Sequence, residues 1–152
     1  MIDVALSDHF TLREMIRTSV RSIDNMPPTD VIYRLTQLCN WVLEPIRERF
    51  GALRVNSGYR CPTLNKLIGG APDSAHLYGC AADIEPAQDV PLGVIMEWLA
   101  HGNITFDQAI EEHAASSDWL HVGMLRPGRE AMPRRQLLVM RDGEYTPWVS
   151  GH

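Results

Sequence analysis

The chain has 152 residues, 45% of them hydrophobic and 22% charged, with a formal net charge of −5 at pH 7. That length suits one domain, residues 1–152, whose core needs no staples, and the composition is that of an ordinary soluble globular protein. The acidic balance speaks against a nucleic-acid binder, which carries a basic face, and against non-specific attraction to an anionic envelope.

Cys39, Cys61 and Cys80 form no CxxC pair, so reduced thiols are expected rather than a disulfide framework. The first residues show neither a basic n-region nor an apolar h-region, and no run has the length of a membrane span. A chain made in the cytoplasm without a signal peptide, and not inserted into a membrane, is the expectation.

In chain order, Ser7 to Ile16 reads as a short helix in which Thr11 and Glu14 have capping-box spacing. Asn25-Met26-Pro27-Pro28 breaks it. A longer amphipathic helix follows, capped near Thr29 or Asp30, with Val31, Leu35, Leu38, Val42 and Ile46 at helical spacing and Gly51 at its end. Pro45 is expected to kink it. Leu53 to Ser57 reads as a strand leading into Gly58-Tyr59-Arg60, and Cys61 to Ile68 as a short helix closed by Gly69-Gly70. The loop Ala71 to Ser74 leads to His76, and Cys80 to Glu85 reads as a strand carrying Asp83. Pro91 to Ala100 is predicted as a helix, then Ile104 to Glu111, Trp119 to Leu125 and Gln136 to Arg141 as strands, the last turned by Asp142-Gly143. Helices first and strands later give an α+β layout, with the helices packed on an antiparallel sheet.

The chemistry concentrates in Ser74-Ala-His76-Leu-Tyr-Gly79-Cys-Ala-Ala-Asp83 and in Trp119-Leu-His121-Val-Gly123. His76, Asp83 and His121 supply two imidazoles and one carboxylate, the ligand set of an open catalytic zinc site. Three protein ligands leave the fourth tetrahedral position for water, whose pKa zinc lowers towards about 7. A single histidine or aspartate of this kind is more often a cap or a solvated turn, and the combination carries the reading. Alternation places Trp119, His121 and Gly123 on one face of their strand, with Leu120 and Val122 anchoring the other in the core. His9, His101, His113 and His152 read as surface residues, His113 being the best spare ligand. Cys80, out of phase with Asp83, reads as a buried thiol, and Cys61 as a packing residue.

The run Ser74-x-His76-x-x-Gly79-x-Ala81-x-Asp83, followed by Trp119-x-His121, resembles the M15 family of zinc peptidases. That family includes D-Ala-D-Ala carboxypeptidases, VanX-type dipeptidases and phage L-alanyl-D-glutamate endolysins. The likeness extends from Phe10-Thr11-Leu12 through Leu43-Glu44-Pro45-Ile46-Arg47, Ser57-Gly58-Tyr59-Arg60 and Phe106-Asp107-Gln108 to a strand near Arg135-Gln136, and is greatest to the short phage and prophage branch. It implies a hedgehog/DD-peptidase type α+β fold with an open zinc cleft, and peptidoglycan peptides as substrate.

The resemblance also implies site roles. The general base of the family stands three positions before the last histidine, here Asp118, although offset three along a regular strand faces the other way unless the backbone turns. Glu112 is the rival, because the short phage branch carries an acid there; Asp118 is preferred and Glu112 second. Arg60 is expected to clamp a substrate carboxylate or steady the tetrahedral oxyanion, the alternative being a structural salt bridge. Ser74 is expected to hydrogen-bond within the site or simply to cap a turn. Tyr59 and Trp119 are expected to pack beside the cleft.

The reading is therefore a zinc-dependent peptidase, expected to be a monomeric phage or prophage endolysin that reaches the cell wall after release or within the virion. The rival is a zinc-stabilised wall-binding or phage structural module without catalysis. The two differ in whether either acid, Asp118 or Glu112, stands at the metal site.

Overall fold

The computed structural model describes residues 3–129 and 131–151. The opening helix is shorter than its pattern suggested. α1 covers only Leu12–Ile16, with Thr11 as N-cap accepting from the Glu14 N–H. Residues 7–10 instead form a bend that pins Glu44: the Ser7 hydroxyl and the His9 N–H each donate to Glu44 Oε1 at 2.7 Å. Satisfying that carboxylate took precedence over extending the helix.

α2 (Thr29–Leu38) and α3 (Glu44–Phe50) form one continuous rod joined by a π-helical turn, Cys39–Leu43. Pro45 lacks an N–H, and its ring crowds the carbonyl four residues earlier. The widened turn just before it absorbs this, so the rod continues to Gly51.

Six strands form one sheet in the order β1-β2-β4-β3-β5-β6: β1 Leu53–Ser57, β2 Ala81–Pro86, β3 Gln108–His113, β4 Asp118–Gly123, β5 Gln136–Arg141 and β6 Glu144–Pro147. α4 (Pro62–Leu67) lies between β1 and β2 in the chain, and α5 (Leu92–Ala100) between β2 and β3. Two features differ from the expectation. β5 runs parallel to β3, so the sheet is mixed rather than wholly antiparallel. β4 ends beside the start of β3, where Gly123 pairs with Gln108, and β5 begins at that same end on the other side of β3, where the Gln136 N–H donates to the Asp107 carbonyl. β6 is the second difference: Asp142 and Gly143, with φ of 52° and 76°, make a tight hairpin that returns one more strand.

The helices cover one face of this sheet. Leu35, Leu38, Ile46, Ile95 and Leu99 pack in one cluster with Val55, Ala82, Ile84, Ala109, Leu120 and Val122. Each such side chain contributes about 1.5–3 kcal/mol by leaving water, which fixes which side of every strand faces inward. The opposite face is left to line a cleft of about 750 Å³.

Candidate metal centre and cleft

Strand register assembles the site. Asp83 on β2 pairs with His121 on β4, and His121 with Ile110 on β3. One step along, Trp119 pairs with Glu112, Glu112 with Met140, and Met140 with Tyr145. Two transverse rows thus cross the open face, one bearing metal donors and the other an acid and a phenol.

His76 comes from outside the sheet, on a single 3₁₀ turn, Ala75–Tyr78, whose N-cap Ser74 accepts from the His76 N–H at 3.2 Å. Gly79 ends the turn with φ 72°, where an added Cβ would lie 2.9 Å from Val31. The imidazole is 1% exposed. Its Nδ1 lies 2.6 Å from the Gly58 carbonyl, an acceptor that holds the proton on Nδ1 and leaves the Nε2 lone pair free. Gly58 is needed for this approach, since a Cβ there would stand 2.4 Å from the Met15 carbonyl oxygen.

His76 Nε2 is 3.3 Å from Asp83 Oδ1, and His121 Nδ1 is 3.0 Å from the same oxygen. One donor atom from each residue falls within 4.8 Å of the others, a grouping unique among the described residues. Zinc–ligand bonds of about 2.0–2.1 Å at tetrahedral angles separate neighbouring ligand atoms by about 3.4 Å, close to the His76–Asp83 spacing. His76 Nε2 is buried without a hydrogen-bond partner, a lone pair that a metal ion would satisfy. Burial pushes the His76 imidazole below its ordinary pKa, towards the neutral form a metal requires. Burial alone would raise Asp83, but the two facing imidazoles outweigh it and hold the group as a carboxylate. The donor set fits zinc.

Glu112 and Arg60 line the same cleft. Glu112 is lifted above the usual carboxylate range, first by burial and then by the neighbouring Asp83 charge. Arg60 is lowered by burial, with Asp83 and Glu112 opposing that shift. It forms no ion pair within 4 Å among the described residues, and its Nε is buried without a partner.

Asp118 stands elsewhere. β4 is regular from its first residue, with Asp118 paired to His113, so no turn of the backbone brings it round. Its carboxylate meets His113 Nδ1 at 3.0 Å and lines a second cavity, on the helix side of the sheet, with Glu111 and His113. Of the two acids expected as base, Glu112 lines the cleft and Asp118 does not, and His113 is held between Asp118 and Glu111. Ser74 lines the cleft and caps the turn, the simpler of its two expected roles. Cys80 is buried with its thiol pushed up to about 11 by burial, as a packing residue should be.

Sequence reading missed Asn25, taken only as part of a helix break. It is 6% exposed; its Nδ2 donates to the carbonyls of Ile16 and Tyr59 at 2.8 and 2.9 Å, and its Oδ1 accepts from the Cys61 N–H at 2.8 Å. It thereby clamps the backbone on both sides of Arg60. Asn25→Ala should cost about 2 kcal/mol or more, since buried peptide groups lose partners, measurable by urea unfolding of the two proteins. Tyr145 and Met140 were also missed; the Asp142-Gly143 turn was the signal that a further strand would return to the cleft.

The chain matches the Peptidase M15 family over residues 8–123. It is also 44% identical over 46 residues to a zinc D-Ala-D-Ala carboxypeptidase of Streptomyces albus G, a match covering 29% of this chain and 18% of that protein. Read with the three convergent donors and the family match over most of its length, the chain belongs to the M15 peptidases.

Proposed function

We propose that the protein is a zinc metallopeptidase that hydrolyses peptidoglycan peptides. The carrying observation is that His76, Asp83 and His121 come within ligand distance at the open face of the sheet, in a cleft that Glu112 and Arg60 also line. His76, Asp83 and His121 would hold the zinc, which when bound would supply Lewis-acid polarisation of a carbonyl and lower the pKa of water towards neutrality. Glu112 takes the proton of the attacking water on its carboxylate and returns it to the leaving amine nitrogen. Arg60, without a carboxylate partner of its own, holds a substrate carboxylate or the developing oxyanion through its guanidinium. The Gly58 carbonyl, accepting from the His76 Nδ1–H, orients that imidazole.

The wall-binding alternative required that neither acid stand at the cleft, and Glu112 lining it favours catalysis. The M15 match and the carboxypeptidase relative support a peptide substrate. Within this reading we place the protein as a single-domain, monomeric endolysin of phage or prophage type with a hedgehog/DD-peptidase-like fold. It would act on the wall after release or as part of a virion.

The test is digestion of purified peptidoglycan by zinc-loaded protein, with the fragments weighed by mass spectrometry. New termini at one peptide bond support the reading and name the bond; intact material despite stoichiometric zinc would leave the wall-binding module. Activity should also fall on the acid side at a higher pH than an ordinary glutamate near 4.5 would give. Glu112 must be ionised to accept a proton, and its raised pKa means that protonation disables it earlier as pH drops. A pH profile of kcat/KM measures this.

A further inference from the structure

The cleft holds more positive charge than the proposed chemistry uses. Besides Arg60 it is lined by Arg126, Arg129 and Arg134. Arg134 is accounted for, since its guanidinium binds both oxygens of the buried Asp107 at 2.7 to 3.2 Å. Arg126 and Arg129 instead share one carboxylate, Asp73, at 3.2 and 3.8 Å. Among the described residues no second carboxylate pairs with these two guanidiniums, so one carboxylate is shared between two cations.

The pairing is also lopsided in exposure. The Arg126 side chain is 14% exposed while that of Asp73 is 72% exposed, so the cation is largely withdrawn from water and its partner stands in it. Water competes for such a carboxylate, and the pair holds weakly. An incoming carboxylate that meets Arg126 bidentately replaces Asp73 with little loss. The placement suits substrate contact. Arg126 follows β4 and lies five residues beyond His121, at most about 18 Å along an extended chain. Asp73 adjoins Ser74, which caps the turn carrying His76.

We propose that Arg126, assisted by Arg129, is a second carboxylate subsite of the cleft. It selects peptides with a free carboxylate a few residues from the scissile bond, and Asp73 occupies it until substrate arrives. This rests on the peptidase reading above. In wall peptides the matching chemistry is the α-carboxylate of a γ-linked glutamate or the free carboxylate of a diamino acid, each of which can be replaced by a carboxamide.

The test uses three synthetic stem peptides: one with both carboxylates free, one amidated at the glutamate and one amidated at the diamino acid. Their kcat/KM values are compared for zinc-loaded wild type, Arg126→Gln and Asp73→Asn. Calorimetric binding is measured in parallel in a Glu112→Gln background that blocks turnover. Wild type should favour the free acid over one of the amides about tenfold or more, which names the carboxylate read. Arg126→Gln should collapse that ratio through KM and binding, whereas Asp73→Asn, which frees the arginines, should keep or increase it.

Equal cleavage of all three peptides by wild type overturns the subsite and leaves the peptidase reading standing. Parallel losses on every peptide in both Arg126→Gln and Asp73→Asn would make the pair a loop latch only. If wild type neither binds nor cleaves any of them, the peptidase reading fails and the subsite falls with it. Thermal melts of the variants separate misfolding from lost recognition.

Discussion

Glu112→Gln should lower kcat by about 10²–10⁴-fold while zinc content and KM stay near wild type, and Asp118→Asn should stay within about twofold. The substitution is isosteric and keeps the side chain in its row beside Trp119 and Met140, but an amide cannot accept and return a proton. Asp118 faces the opposite side of the sheet, where its carboxylate meets His113, so its charge does not reach the reacting atoms. Steady-state kinetics on a defined peptide, with metal content measured on the same samples, separates the two residues. A dead Asp118→Asn beside an active Glu112→Gln would reverse the assignment and would require β4 to twist at its first residue during turnover.

Zinc should stabilise the protein strongly, and His76→Ala should remove both the zinc and the stabilisation. A ligand at a thousandfold excess over its Kd adds about 4 kcal/mol when it binds only the folded state. For a chain of this size that corresponds to a rise in Tm of roughly 8–16 °C. The apo site explains why the gain is large: His76 Nε2 is buried without a hydrogen bond and Asp83 is a largely buried carboxylate, so the metal fills a place where polar groups are under-satisfied. Scanning calorimetry of chelator-treated and zinc-loaded protein checks the shift. In His76→Ala the two melts should coincide, because two remaining donors on neighbouring strands hold zinc poorly. Asp83→Asn, which keeps both imidazoles, should retain a smaller shift. Identical melts with and without zinc in wild type would argue against a resident metal.

Much of the candidate site was legible in the sequence. The donor triad depends on residue types that few other roles require together, and its strand positions follow from the period-two alternation in Trp119-Leu120-His121-Val122. Burial of Leu120 and Val122 then forces His121 to the open face. The same alternation already counted against Asp118, which the family's usual base position, with an allowance for a turn of the backbone, kept ahead of Glu112. Arg60 was found by its motif, but the clamp that holds it, Asn25, lies 35 residues earlier and was unreadable, because nothing local to Asn-Met-Pro-Pro reveals three distant backbone partners.

What the sequence determined by itself was local: the helical stripe from Val31 to Ile46, the strand phases, the turn at Asp142-Gly143 and the choice of His76, Asp83 and His121 as candidate metal donors. These rest on periodicity and residue chemistry, which act over a few residues. The tertiary structure decided strand order, the parallel pairing of β3 with β5, the placing of Glu112 at the cleft and Asp118 away from it, and the gathering of Arg126, Arg129 and Asp73 at the cleft. Those depend on contacts between residues far apart in the chain, where many pairings satisfy the same local pattern and the packing of the whole core selects one.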